Sequence, residues 1–182
     1  MLKGTIIYLE GVSSSGKTIL ARTLQVRLPE PFFLLSGDMF WEMGPNNGIE
    51  PTAFDNDVIF PEIDLITQNT MKLFSKLGID FIIDFVPVRG NFADLLCENP
   101  VLYVNVFCPA EELRRREKER GNRQIGLAES QLGDMFPQDK YDITVNTFAN
   151  TADECADKII ELLKYPDKFT AFRNLLDKQH ET

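Results

Sequence analysis

The chain has 182 residues, of which 43% are hydrophobic and 26% are charged, as is typical of one globular domain. It carries 19 Lys and Arg against 28 Asp and Glu, and the net charge of −9 makes the phosphate backbone of DNA or RNA an unfavourable partner. The single histidine, His180, lies near the carboxyl terminus, which argues against Ser-His-Asp catalysis, Cys-His proteolysis and a histidine-ligated metal site.

Cysteine usage and the amino-terminal sequence bear on cellular location. Cys97, Cys108 and Cys155 are odd in number and form no Cys-x-x-Cys motif, which favours reduced thiols over a disulfide framework. The first apolar run, residues 6–9, is too short for a signal peptide or a membrane span and is followed at once by Glu10. We therefore expect a cytoplasmic protein without a membrane partner.

Along the chain, short apolar runs alternate with stretches of helical character. The predicted strands are residues 5–9, 32–35, 79–83, 101–107 and 143–145. The predicted helices are residues 18–28, about 58–77, 92–97, 111–120, 127–135 and 152–163. Because the strands are continuously apolar, we expect a parallel sheet covered on both faces, that is, a three-layer α/β domain. Right-handed crossovers would place the carboxyl ends of the strands on one edge, where such sheets bind ligands.

Two segments depart from this alternation. Residues 44–57 are rich in Gly, Pro and Asn and are predicted to form a long loop. In the tail, Phe169 and Phe172 stand at helical spacing, which predicts a terminal helix that either docks on the domain or forms a subunit contact. The predicted organisation is a domain of residues 1–165 and a helical tail of residues 166–182. If the tail helix forms a subunit contact, the protein would be a homo-oligomer.

The motif between the first strand and the first helix indicates the class of ligand. Residues 11–18, GVSSSGKT, match G-x-x-x-x-G-K-[ST] in the strand–helix context that this motif requires, although a Gly/Ser turn with an exposed lysine is the alternative. Backbone N–H groups of such a loop surround a phosphate, and the helix dipole adds positive charge. Lys17 is expected on the β- and γ-phosphates and Thr18 on Mg²⁺. The residues predicted to hold the nucleotide are Gly11, Val12, Ser13, Ser14, Ser15, Gly16, Lys17 and Thr18.

Two carboxylates follow predicted strands and fall on the same edge of the sheet. Asp84 ends the apolar sequence Phe-Ile-Ile-Asp, an arrangement that holds Mg²⁺ directly or through water, with a turn cap as the alternative. Asp38 follows the second strand, where it could take the proton of an attacking hydroxyl or merely cap the next helix. Both acids are therefore candidate site residues.

Five arginines crowd into residues 111–124, and three consecutive ones cannot share one helix face. Arg116, Arg120 and Arg123 are spaced by 4 and 3 and fall on one side of a continuous helix. They are predicted to belong to an Arg-rich lid, about residues 111–136, that closes over the phosphates. The alternative is a surface helix with ion pairs to Glu117 and Glu119.

With these residues in place, the chain resembles the chloramphenicol phosphotransferase family of P-loop kinases over residues 5–163. The features that carry the resemblance are the form SSxGK[ST] at 13–18, the Leu-Pro-Glu-Pro turn at 28–31, the acids Asp38 and Asp84, the arginine segment 116–123 and the Tyr-Asp-Ile sequence at 141–143. The turn and the arginine segment carry the most weight, because a generic P-loop protein need not have them.

The resemblance implies a fold like that of the nucleotide and shikimate kinases, with a five-stranded parallel sheet. It also implies transfer of the ATP γ-phosphate to a substrate hydroxyl, with Asp38 as the base and Arg120 and Arg123 beside the phosphates. The chain departs from the family pattern at Phe85, where the family has a second acid, and residues 44–57 and the tail match poorly. These departures leave the phosphate chemistry in place and the acceptor open.

The leading hypothesis is therefore a small-molecule O-phosphotransferase that uses ATP and Mg²⁺. Its predicted catalytic residues are Asp38, Lys17, Arg120 and Arg123, and Arg116 and Arg120 are predicted to contact the nucleotide as well. The predicted acceptor pocket consists of Met39, Phe40, Trp41, Met43, Val86 and Pro87. One alternative is a nucleotide or nucleotide-sugar kinase similar to the zeta toxins, although Arg89 is the only evident cation on the acceptor side. The other is a non-catalytic ATP-binding switch.

Overall fold

The computed structural model describes residues 3–43, 60–85, 96, 98–120 and 125–179. The strands are β1 (Ile6–Glu10), β2 (Phe33–Ser36), β3 (Phe81–Phe85), β4 (Val101–Phe107) and β5 (Ile143–Asn146). The helices are α1 (Lys17–Arg27), α2 (Gly37–Met43), α3 (Phe60–Leu77), α4 (Ala110–Arg120), α5 (Leu127–Gln131), α6 (Ala152–Leu163) and α7 (Ala171–Gln179). Short 3-10 turns span Leu132–Asp134, Gln138–Lys140 and Pro166–Lys168.

The strands form one parallel sheet in the order β2-β3-β1-β4-β5. The predicted α/β fold with a five-stranded parallel sheet is thus confirmed. β1 lies at the centre, where Leu9 is in register with Asp84 of β3 and Glu10 is in register with Phe85. Ser36 of β2 is in register with Asp84 on the other side of β3. The carboxyl ends of β1, β2 and β3 therefore bring the P-loop and both predicted acids to one edge.

Alternate residues of β1 face opposite layers of the domain. On one face, the buried cluster contains Ile7, Leu9, Leu20, Leu24, Val104 and Ile159. On the other face, it contains Ile6, Tyr8, Leu35, Met71, Tyr103 and Phe172. Burying one such side chain contributes about 1.5–3 kcal/mol, so the covering of both faces holds the three layers together.

Several elements end elsewhere than the sequence predicts. β1, β2 and β3 run one or two residues further, to Glu10, Ser36 and Phe85, because polar residues at this edge are also paired in the sheet. The predicted helix 127–135 was too long, since α5 ends at Gln131 and a 3-10 turn containing Gly133 follows. The predicted loop 44–57 and nearly all of the predicted helix 92–97 lie outside the described residues.

The tail packs on the sheet through α7. The ring of Phe172 lies 5.8 Å from that of Tyr8 and 5.5 Å from that of Tyr103. Asp142 accepts hydrogen bonds of 2.9 Å from the N–H groups of Thr170 and Ala171, which start this helix. Docking of α7 on the domain is therefore seen directly, while a subunit contact and the domain boundary after residue 165 stay predictions. Among the described helices, none has the length and apolar character needed to cross a membrane.

Candidate active site

The loop between β1 and α1 has the backbone conformation of an anion-binding nest. Ser14 and Gly16 adopt left-handed conformations with φ of 61° and 94°, and alternation of such residues with right-handed ones turns successive N–H groups inward. At Gly11, a Cβ would lie 2.7 Å from the carbonyl oxygen of Val106 and 2.8 Å from Ser15 Oγ. Glycine is therefore required there, because the loop packs directly on β4.

Lys17 starts α1 and is 7% exposed. Its Nζ donates a 2.9 Å hydrogen bond to the carbonyl oxygen of Val12, so the ammonium lies over the loop that it belongs to. Its charge lowers the pKa of Asp84 and of Glu10, in opposition to the burial that raises both. Lys17 is thus the positive centre of this edge of the sheet.

Thr18 and Asp84, the predicted metal ligands, contact each other. Thr18 Oγ1 donates to Asp84 Oδ2 at 2.7 Å. Asp84 is 5% exposed, and burial raises its pKa, while Lys17, the Thr18 hydrogen bond and Arg22 oppose that rise. One hydroxyl and one carboxylate fit Mg²⁺, which takes oxygen ligands and fills its remaining positions with water and phosphate. Within the described ranges, no cluster of three His, Cys, Asp or Glu suits a metal held by protein alone.

Asp38 lies in the first turn of α2, just after the end of β2, which pairs with the strand that carries Asp84, and its side chain is exposed. Its charge raises the pKa of Asp84, which places the two carboxylates within electrostatic reach of each other. The backbone at Gly37 lies against the ring of Phe85, whose Cε1 would be 3.1 Å from a Cβ at position 37. Phe85, found where the family pattern has an acid, thus packs beneath the start of α2.

Glu10 is a buried acid that the sequence analysis did not single out. It is 2% exposed at the end of β1, and burial raises its pKa to about 7, against the opposing effects of the Tyr141 hydroxyl and Lys17. It stands in register with Phe85 on β3 and with Asn105 on β4. An acid that ends an apolar strand was the signal used for Asp84, and the same signal was present at Glu10.

Arg116 contacts the carbonyl side of the P-loop. Its Nε donates to Glu112 Oε1 at 2.8 Å, and Nη2 donates to the carbonyl oxygen of Thr147 at 2.9 Å. Nη1 lies 3.4 Å from the carbonyl oxygen of Ser14. Thr147 Oγ1 donates to the carbonyl oxygen of Ser15 at 2.6 Å, so Thr147 is a second residue that the sequence did not reveal. In this arrangement Arg116 and Thr147 hold the loop backbone.

The other arginines of the predicted lid have different surroundings. Arg114 pairs with Glu129 at 2.6 Å, and Arg115 pairs with Glu112 at 2.7 Å and with Glu119. The predicted pairing with Glu119 is therefore present. Exposed pairs of this kind contribute little to stability, because water and salt screen the two charges. Arg120, at the exposed end of α4, has no ion pair within the described part of the chain. Arg123 lies outside the described residues.

Glu117 makes no ion pair with the arginines of this segment that the structure describes, contrary to the surface-helix alternative. It is 1% exposed, and its carboxylate accepts hydrogen bonds from the N–H of Gly126 at 2.8 Å and of Ala128 at 2.7 Å. This acid therefore holds the start of α5. A carboxylate at a helix amino terminus also interacts favourably with the helix dipole.

The predicted acceptor pocket is described only in part. Met39 is 38% exposed, and Phe40 is half-buried against the second apolar cluster. Val86, Pro87 and Arg89 lie outside the described residues, as do the side chains of Trp41 and Met43.

A parallel sheet with a phosphate-binding nest after its central strand and a hydroxyl–carboxylate pair beside it defines the chain as a P-loop kinase. The model of the family described as chloramphenicol phosphotransferase-like protein matches residues 4–164. The chain belongs to this family, which confirms the resemblance inferred from its sequence.

Individual relatives agree with this class. An adenylyl-sulfate kinase of Clostridium acetobutylicum is 30% identical over 174 residues, covering 89% of this chain and 84% of the relative. Among solved structures, the APS kinase of Mycobacterium tuberculosis in complex with AMPPNP and APS has a TM-score of 0.60 at 18% identity, covering 90% and 99% of the two chains. The shikimate kinase of Acinetobacter baumannii in complex with shikimate has a TM-score of 0.60 at 21% identity, covering 90% and 93%. The protein is an ATP-dependent kinase.

Proposed function

We propose that the protein transfers the γ-phosphate of Mg·ATP to a hydroxyl group of a small molecule. The observation that carries the proposal is the Thr18–Asp84 pair, 2.7 Å apart beside the nest, with Asp38 in the first turn of α2, just after the adjacent strand β2. These side chains supply the oxygen ligands and the exposed carboxylate that phosphoryl transfer to an alcohol requires. The cytoplasmic location stays a prediction.

In this proposal, the nest amides and Lys17 bind the phosphates, and Asp38 orients the acceptor hydroxyl and accepts its proton. The acceptor oxygen forms a bond to the γ-phosphorus, the bond to the β–γ bridging oxygen breaks, and ADP leaves. Mg²⁺ held by Thr18 and Asp84 would neutralise charge on the phosphate oxygens. Arg120 and Arg123 would offset the charge that develops on the moving group, and Arg116 would shape the nucleotide site.

The metal assignment has its own test. Replacing Asp84 by Asn is expected to reduce the Mg²⁺-dependent gain in ADP affinity about 10- to 100-fold, because a neutral amide binds Mg²⁺ less well than a carboxylate does. Isothermal titration calorimetry of ADP with Mg²⁺ and with EDTA measures this gain. Asp38→Asn is the matched control and should keep the whole Mg²⁺ effect. An unchanged gain in Asp84→Asn would remove Asp84 from the metal site.

A second candidate acceptor is an anionic one, such as a nucleotide. Arg22 lies one turn after Thr18 on α1, is exposed, and is close enough to lower the pKa of Asp84. The described residues include no ion-pair partner for Arg22. It is therefore a cation at this edge that the sequence analysis overlooked, and the adenylyl-sulfate kinase relative favours the same class of acceptor. The non-catalytic switch receives no support from these relatives.

ADP release from Mg·ATP with chloramphenicol or with adenylyl sulfate distinguishes the two acceptor classes. Stimulation by chloramphenicol supports a neutral alcohol, and stimulation by adenylyl sulfate supports an anion. In the second case, Arg22→Gln is expected to raise the KM for adenylyl sulfate about tenfold or more. Arg27→Gln is the control, because Arg27 pairs with Asp153 and Asp157 at the far end of α1. If ATP binds and neither compound stimulates, both acceptors are rejected.

A further inference from the structure

The P-loop has one contact that the phosphate chemistry does not explain. The N–H of Ser13 donates a 2.7 Å hydrogen bond to Oε1 of Gln131, the last residue of α5, 118 positions further along the chain. Ser13 is 7% exposed, and Gln131 is partly buried. A side-chain amide of the predicted lid therefore accepts from the backbone of the nest.

This contact lies next to the most strained residue of the loop. Ser14 adopts φ of 61°, a left-handed conformation that costs a residue with a Cβ free energy. Gln131 holds the N–H of the preceding residue, and Arg116 approaches the carbonyl oxygen of Ser14 itself. Both side chains come from the α4–α5 segment, so this segment contacts the Val12–Ser13 peptide group before the strained position and the Ser14–Ser15 peptide group after it.

α5 is itself fixed in place by contacts with α4 and with the P-loop, so it can position the side chain of Gln131. Glu117 accepts from two N–H groups at its start, and Arg114 pairs with Glu129 within it. Its Ala128 is buried in a cluster with Val12, Cys108 and Leu113, against which the partly buried Met135 packs. Val12 belongs to the P-loop, so apolar packing and the Gln131 hydrogen bond join the same two elements.

We infer that Gln131 is a positioning residue that couples the lid helix α5 to the P-loop and keeps the nest in its nucleotide-binding shape. The inference rests on the proposed nucleotide site at residues 11–18. Without the Gln131 bond, nucleotide binding would itself have to hold Ser14 in its strained conformation. By linkage, a nucleotide that requires this shape of the loop stabilises the docked position of α5 by the same free energy.

Calorimetric titration with Mg·ADP tests the coupling. Gln131→Ala and Gln131→Met both remove the amide oxygen, and Met keeps most of the side-chain volume. Each is expected to bind Mg·ADP about tenfold more weakly, the scale set by one hydrogen bond. Ser130→Ala is the control on the same helix, since the only described contact of the Ser130 hydroxyl is its hydrogen bond to the carbonyl oxygen of Leu127, and the affinity of this variant should be that of wild type.

Amide hydrogen exchange distinguishes coupling from a purely structural role of Gln131, because only coupling makes the protection of α5 depend on bound nucleotide. In wild type, Mg·ADP should increase protection of residues 127–131, and in Gln131→Met, which still folds, this increase should be lost. Unchanged or tighter binding of Mg·ADP in both variants would overturn the inference and leave the proposed function standing. A wild-type protein that binds no Mg·ADP would overturn both.

Discussion

Replacing Asp38 by Asn is expected to lower the rate of phosphoryl transfer about 100- to 10,000-fold, the range that a positioned general base supplies. The carboxylate is exposed at the start of α2 beside Asp84, and an amide of the same shape cannot accept the proton of the attacking hydroxyl. Affinity for Mg·ATP should hardly change, because in the proposed mechanism the phosphates bind to the nest and to Lys17. The loss should therefore appear in kcat and not in the ATP dissociation constant.

The measurement is ADP release with whichever acceptor stimulates the wild type, together with calorimetric titration of ATP. Asp38→Glu tests position separately from charge, since it keeps the carboxylate and moves it by one methylene. Glu30→Gln removes an exposed acid in the turn before β2 and should leave turnover unchanged. Full turnover by Asp38→Asn would show that another group takes the proton and that Asp38 is not the general base.

The features that the sequence predicted are those encoded within a few consecutive residues. The P-loop was evident because its glycines, Lys17 and Thr18 have fixed spacing, and Asp84 was evident because it ends an apolar strand. The parallel sheet then brings Asp38 and Asp84 to one edge without further information, since adjacent strands end there. Local pattern and strand order together therefore account for the centre of the candidate site.

The features that the sequence did not predict depend on contacts between distant segments. Gln131 meets Ser13 across 118 positions, and Thr147 meets Ser15 across 132. No spacing rule relates such residues, because their distance is set by the packing of α5 and of the segment after β5 on the loop. Glu10 is a different case, since it ends an apolar strand as Asp84 does and so has a local sequence signal, but it directly precedes Gly11, where the P-loop motif begins.

The arginine segment shows why the charge of a residue in the sequence does not by itself determine what that residue contacts. Arg115 and Arg116 are neighbours in sequence, yet Arg115 forms exposed ion pairs while Arg116 reaches the P-loop. Glu117, next along the chain, is buried and caps α5. Successive residues of a helix are rotated by about 100°, so each faces a different neighbour, and only the tertiary structure shows which neighbour is present.

Replacing Glu10 by Gln is expected to remove a pH-dependent loss of stability. Burial raises the pKa of this carboxyl from its ordinary value of 4.5 to about 7 in the folded protein. Below pH 4.5 it is protonated in both states and costs nothing. Between pH 4.5 and 7 the unfolded state binds fewer protons than the folded state, so the free energy of unfolding falls as pH rises. Above pH 7 the loss in the free energy of unfolding is constant. Since a difference of one pKa unit corresponds to about 1.4 kcal/mol, the full loss is about 3 kcal/mol.

Urea unfolding of wild type and Glu10→Gln from pH 4 to 8.5 measures this effect. The difference between the two free energies should grow in favour of the variant between pH 4.5 and 7 and then level off, whatever constant cost the buried amide adds. Glu98→Gln is the control, because the hydrogen bond and charge of Lys3 lower the pKa of this exposed acid, so its small contribution to stability is lost as pH falls. Parallel curves for wild type and Glu10→Gln would contradict the prediction, because they would mean that the pKa of Glu10 is the same in the folded and the unfolded protein. Glu10 would then be ionised above about pH 4.5, its ordinary pKa. The negative charge beside Lys17 would persist while nucleotide binds near neutral pH, and Glu10 would weaken the attraction of the site for phosphate.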